Sequence, residues 1–139
     1  MTGKLNRISI ETLKRIIEGI DKAWHAIHFI LNESAWEGEL PLFNVILGGT
    51  EIGEDMGFGP VRYVTNEEVK DIALKLSNLN ENDLRNRFNP KVMNELQIYP
   101  AIDWVERGDQ EFVFSYYEEV KNYYIDASLK NCAMLLYII

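Results

Sequence analysis

The chain is predicted to fold as α+β, a single domain over residues 1–139 in which a small sheet is packed by several helices. Three observations carry that expectation. Apolar residues recur at helical spacing in several separate segments, residues 61–64 and 132–139 read as strands, and no repeat, linker or low-complexity run divides the chain. A hydrophobic fraction of 47% beside 26% charged residues supplies enough apolar surface for the whole length to fold rather than stay disordered.

Leu5 and Ile8 suggest a short leading strand. Ser9 can cap a first helix whose Leu13, Ile16, Ile17 and Ile20 make one buried face, closing near Gly19. Asp21 can cap a second, in which Trp24, Ile27, His28 and Leu31 form a one-sided stripe that runs out near Asn32 or Glu33. Residues 34–40 are polar and turn-like. Pro41 then opens a short apolar helix over 42–47, stopped by Gly48 and Gly49. Residues 48–60 hold five of the nine glycines and are expected to form a loop, the longest irregular segment of the chain.

After the strand at 61–64, Thr65 and Glu68 stand three apart as a capping box, and Val69, Ile72, Ala73 and Leu76 give that helix its buried stripe. Asn80 caps a short helix through Leu84 and Phe88, and Asn89 with Pro90 starts another with Val92, Met93 and Leu96 inward. Pro100 keeps Tyr99 out of a helix, so residues 98–100 are expected to be extended. Asp109 caps the longest helix, where Val113, Tyr116, Tyr117, Val120, Tyr123, Tyr124 and Ala127 hold helical spacing over four turns. Tyr117 and Tyr124 fall towards the edge of that stripe, within reach of water, while Val113, Tyr116, Val120, Tyr123 and Ala127 are expected to pack on a sheet containing Leu135 and Tyr137. Asn131 can close the helix, and residues 132–139, apolar on both faces, belong in a sheet interior.

Charge narrows the function classes. With 14 basic against 22 acidic residues the net charge is −8, and phosphate neutralisation by Lys and Arg, on which nucleic-acid affinity rests, is poorly served. No Lys or Arg lies between Lys22 and Arg62, whereas Glu33, Glu37, Glu39, Glu51, Glu54 and Asp55 all do. That stretch is either a solvated acidic face or a docking surface for a basic partner. The N-terminal residues lead into an amphipathic pattern rather than an apolar run, and the apolar last eight residues fall short of the roughly 20 that span a bilayer as a helix. A cytoplasmic protein without membrane contact is expected, and the lone Cys132 suits a reducing compartment.

The chain's two histidines, His25 and His28, are three apart on one predicted helix, a spacing that lets both rings approach one ligand. A zincin helix needs histidines four apart around a glutamate, and Ala26 and Ile27 stand there instead, so no metal site is assigned. His28 shares its stripe with Trp24 and Leu31, which fits a core histidine with a satisfied nitrogen. The glycine-rich run 48–60 lacks the Lys-Ser/Thr of a phosphate loop and carries three carboxylates that would repel phosphate. Glu51, Glu54 and Asp55 lack EF-hand spacing. Cys132 sits in an apolar strand, no Ser or Thr lies in a nucleophile elbow, and so no catalytic residue is nominated. Seven tyrosines and three tryptophans serve a core first, but any exposed surplus beside acidic residues would suit a protein-binding face with aromatic anchors.

Residues 21–31, Asp-Lys-Ala-Trp-His-Ala-Ile-His-Phe-Ile-Leu, are followed in order by Leu47-Gly48-Gly49, Gly59-Pro60-Val61-Arg62-Tyr63, the Thr65 capping box and Ile98-Tyr99-Pro100. This ordered set resembles the YfbM-like bacterial proteins, a family of unknown function, over most of the chain. The resemblance implies a small cytosolic bacterial α+β protein with no known cofactor, and it supplies no catalytic residues. Relative to the family pattern the chain is short before Asp21. Two functional readings follow. One is a non-enzymatic binding module, of inhibitor or immunity type, that docks a basic protein through Glu51, Glu54 and Asp55. The other is a small-molecule site or weakly active enzyme with a cleft near Trp24, His25, His28, Tyr63, Tyr99 and Trp104.

Overall fold

A computed structural model of the chain describes residues 22–55 and 60–137. The expected leading strand at Leu5 and Ile8, the helix after Ser9, the Asp21 cap and the end of the last strand at Ile138 and Ile139 lie outside the described residues. Those that are described form an α+β fold, in this order: α1 (Trp24–Asn32), a 3-10 turn (Leu42–Val45), β1 (Thr50–Asp55), β2 (Pro60–Val64), α2 (Asn66–Asn78), α3 (Glu81–Asn86), α4 (Pro90–Glu95), α5 (Trp104–Arg107), α6 (Gln110–Leu129) and β3 (Met134–Leu136).

The helix starts follow local chemistry closely. Thr65 accepts from the Glu68 backbone N–H at 3.1 Å while the Glu68 carboxylate accepts from the Thr65 N–H at 2.9 Å, which completes the capping box of α2. Asn80, Asn89 and Asp109 cap α3, α4 and α6 through their side-chain oxygens. At the far end of α6, Asn131 adopts a left-handed φ of 55°; its N–H reaches Ser128 O at 3.0 Å and that of Cys132 reaches Ala127 O at 2.9 Å. This is a Schellman closure with asparagine in the place glycine usually takes. It turns the chain directly into β3.

β2 is the central strand, antiparallel to β1 on one side and to β3 on the other. Two expectations change here. Residues 50–55 are a strand rather than part of a loop, because pairing Thr50 with Tyr63 and Glu51 with Arg62 outweighs the local glycine signal. The register shift between Glu51 and Asp55 absorbs the irregularity that the glycines announce. The last segment, expected inside a sheet, pairs with β2 alone among the described residues and is an edge. Its Met134 and Leu136 are buried and Leu135 is half-buried, so its apolar character reflects packing on both faces rather than two neighbouring strands.

α1 is not one-sided. Every residue from Trp24 to Leu31 is buried, so the helix runs through the interior with neighbours all round. α6 packs chiefly along α2 and then on α1, where the sequence suggested the sheet as its main support. Its buried residues are Val113, Phe114, Tyr117, Val120, Tyr124 and Ala127, with Tyr116 and Tyr123 half-buried at the rim. The stripe is therefore rotated: Tyr117 and Tyr124 lie at its centre. In α4 Met93 is inward, while Val92 is half-buried and Leu96 is exposed. Residues 98–100 turn around a cis Tyr99–Pro100 peptide, and the one-turn α5, capped by Asp103, was not foreseen.

The two central tyrosines differ. The Tyr124 hydroxyl donates to the backbone carbonyl oxygens of Val45 at 2.7 Å and Asn44 at 3.3 Å, which pins α6 to the 3-10 turn. The Tyr117 hydroxyl is buried with no hydrogen-bond partner among the described residues, and burial, helped by the Glu118 and Glu81 carboxylates, pushes its pKa up to about 12. An orphaned buried hydroxyl costs stability where a hydrogen atom would not. Tyr117→Phe is expected to raise stability by about 1 kcal/mol in urea titrations; an equal loss would mean that the hydroxyl has a partner in solution.

Candidate functional site

α1 brings together most of the polar aromatics that the sequence singled out. His25 donates from Nε2 to the Ala35 carbonyl at 2.8 Å and accepts at Nδ1 from the Tyr99 backbone N–H at 2.8 Å. His28 donates from Nε2 to the Glu37 carbonyl at 3.0 Å and accepts at Nδ1 from the Asn32 amide at 3.3 Å. A ring that accepts at Nδ1 and donates at Nε2 is the neutral Nε2–H tautomer, so these partners assign both imidazoles. Burial lowers both pKa values, that of His28 to about 4 despite the opposing pull of the Glu37 carbonyl. In this arrangement neither ring has a nitrogen left for a metal, a proton transfer or a ligand. Their work is to clamp residues 35–37 onto α1.

The clamped segment carries Trp36. Its ring leans on His25, with centroids 4.3 Å apart and planes inclined by 39°, and on Trp24 at 6.2 Å. Trp24 in turn stacks on His25 at 4.8 Å and on Tyr99 at 5.4 Å. Trp24 and His25 are buried and Tyr99 is half-buried, but Trp36 stays 59% exposed. Residues 36–40 are exposed throughout, including Leu40, and Glu33, Glu37 and Glu39 share that surface. Among the described residues neither Glu37 nor Glu39 is in an ion pair, and Glu33 has only a 3.9 Å approach from Arg87. Sequence reasoning missed Trp36 because a lone aromatic in a polar turn has no periodicity to mark it. Its signal was a tryptophan among carboxylates in a stretch without Lys or Arg.

The remaining nominated residues sit elsewhere. Trp104 is buried, donates from Nε1 to the Ile98 carbonyl at 3.0 Å and meets Phe88 edge-on. Tyr63 is half-buried on β2 opposite Thr50 and Leu135, and Glu51 is exposed on β1 opposite Arg62. Glu54 and Asp55 end β1, where Asp55 pairs with Pro60. The Arg62 guanidinium is buried beneath the strands and donates to the Ile46 and Gly48 carbonyls at 3.0 and 2.8 Å. A cavity of about 400 Å³ opens between Leu31, Asn32, residues 38–42 and Lys75. Among the described residues no three His, Cys, Asp or Glu side chains gather to hold a metal, and no helix is long and apolar enough to cross a membrane.

Residues 1–137 match the family model described as Domain of unknown function (DUF1877). The chain belongs to the DUF1877 family. It is similar to Protein YfbM of Escherichia coli (strain K12), with 33% identity over 90 residues, 63% of this chain and 53% of YfbM. That aligned stretch thus spans about half the length of this relative. The crystal structure of YfbM from Escherichia coli, a protein of unknown function, superposes with a TM-score of 0.65 at 25% identity, covering 85% of this chain and 78% of that one. Membership of DUF1877 fixes the fold and leaves the chemistry to be argued from the residues.

Proposed function

We propose that this DUF1877 chain is a non-enzymatic protein-binding module of the bacterial cytoplasm, of inhibitor or immunity type, that engages a basic partner through an acidic face anchored on Trp36. The observation that carries this reading is an exposed indole on a rigid bed. Trp36 rests on buried rings, and the backbone on either side of it is tied to His25 and His28. An anchor already held in place loses little side-chain freedom on binding, and tryptophan is the residue most enriched at interface hot spots. The surrounding carboxylates select a cationic partner and speed its approach. An enzymatic reading has less support, since both imidazoles spend their nitrogens on the protein's own backbone and amide groups.

Affinity capture from the native cytoplasm with the full chain tests the proposal. The wild type is expected to retain a basic protein whose binding weakens with salt. Trp36→Ser should weaken binding about 30-fold or more while the chain stays folded by circular dichroism, with a lower melting temperature because the indole no longer covers His25 and Trp24. Changing Glu51, Glu54 and Asp55 to Gln or Asn measures whether the docking surface extends onto β1. Equal recovery by wild type and Trp36→Ser would refute Trp36 as the anchor.

A small-molecule site is the second reading, and the cavity beside Asn32 and Lys75 is what favours it. Such binding would survive Trp36→Ser.

A further inference from the structure

We propose that the group recognised by Trp36 is an arginine side chain of the partner, its guanidinium lying flat on the indole face turned away from His25. This deepens the binding-module reading and rests on it. Three features of the molecule point to it. The inner side of Trp36 is covered by a neutral imidazole, since His25 accepts a hydrogen bond at Nδ1, and among the described residues no Lys or Arg lies over the ring. The outer side is open, and a π face attracts a cation. Glu37 and Glu39, one and three residues further on in the same exposed run, are not in ion pairs among the described residues.

The molecule already contains the complete version of this arrangement. The Arg85 guanidinium lies 4.4 Å above the Phe114 ring centroid while its nitrogens meet the Glu81 and Glu111 carboxylates at 3.0 and 2.6 Å. An aromatic face and two carboxylates together hold one arginine there. Trp36 offers the same kind of face, and Glu37 and Glu39 follow it in the same exposed run. Other occupants fit less well. An apolar side chain would desolvate the carboxylates without pairing them, and a phosphate would be repelled. Lysine supplies charge but not a plane: its ammonium is strongly hydrated and cannot stack or fork to carboxylate as guanidinium does.

Three short uncharged-backbone peptides that differ only in carrying arginine, lysine or citrulline at two positions test the proposal by titration of tryptophan fluorescence and calorimetry on the full chain. Citrulline keeps the shape of arginine and removes its charge. The arginine peptide is expected to bind about twofold to fivefold tighter than the lysine peptide, with the citrulline peptide weakest. Trp36→Leu should abolish the arginine preference, and Trp36→Phe should keep part of it. Equal affinity for arginine and lysine, an arginine preference that survives Trp36→Leu, or no binding of any peptide would overturn the inference. If partner capture depends on Trp36 but no arginine preference appears, the inference fails while the binding-module reading stands. If the arginine preference holds but no protein is captured, Trp36 recognises a guanidinium group but the binding-module reading fails, and with it the assignment of that group to a partner protein.

Discussion

Val120→Asp is expected to leave little folded protein, whereas Glu118→Gln, two residues away, should melt within about 1 °C of the wild type. Val120 is 1% exposed in the middle of α6, on the face that packs along α2, and Glu118 is exposed on the opposite side. Removing a buried valine costs roughly 1.5–3 kcal/mol, and placing a carboxylate there adds a desolvation penalty or forces its protonation. Together these approach about 5 kcal/mol, set against a total stability of about 5–15 kcal/mol for a domain. Circular dichroism melts of both variants decide the matter. Equal melting temperatures would mean that the register of α6 is wrong and that its buried residues are misassigned.

The second large effect is acid destabilisation through the two histidines. In the unfolded chain both imidazoles titrate near 6.5, while in the folded chain burial lowers both, that of His28 to about 4. The unfolded state therefore binds more protons between these values, so stability rises with pH across this window. The contribution is fully present above about pH 6.5 and is lost as pH falls towards 4. For His28 it amounts to about 3 kcal/mol. Protonation also replaces the lone pair that accepts from Asn32 with an N–H, so the amide must turn away. His28→Gln, which can still donate to the Glu37 carbonyl but does not titrate, should show a shallower loss of stability between pH 6.5 and 4.5. With only two histidines in the chain, imidazole NMR titrations can be assigned to each ring. A folded-state pKa at or above 6.5 for His28 would sink the account.

How legible all this was depends on how local each determinant is. The caps at Thr65, Asn80, Asn89 and Asp109 act within four residues, and each helix begins where its cap stands. β1 was hidden because its existence depends on β2: Gly53 and the acidic residues around it argue locally for a loop, and only pairing across Thr50–Tyr63 and Glu51–Arg62 makes a strand. The rotation of the α6 stripe was ambiguous because Tyr116, Tyr117, Tyr123 and Tyr124 offer two equally apolar faces. Choosing between them takes the position of α2 and the Val45 carbonyl that receives Tyr124. The histidine spacing drew attention to the right helix, but what occupies each nitrogen comes from Ala35, Glu37 and Tyr99, which no helical pattern reveals. Trp36 became visible only once those bonds fixed the turn beneath it.

α1 also bears on the order in which the molecule assembles. It is nine residues long, shorter than the roughly 12–15 at which an isolated helix is even marginal in water, and it has no side-chain cap, no acid in its first turn and no base in its last. Partners far along the chain also reach it: Arg87 donates to the Ile30 and Leu31 carbonyls at 3.0 and 3.2 Å, and the Tyr99 N–H reaches His25 across 74 residues. Among the described residues the local supports are the Glu33 N–H on the Phe29 carbonyl at 2.7 Å and the histidine bonds to Ala35 and Glu37, and the distant bonds add to them. Closing loops over those distances raises contact order and slows the search. During synthesis the bond from the Tyr99 N–H to His25 can form only after residue 99 has left the ribosome, so the bed beneath Trp36 is completed late, together with the interior.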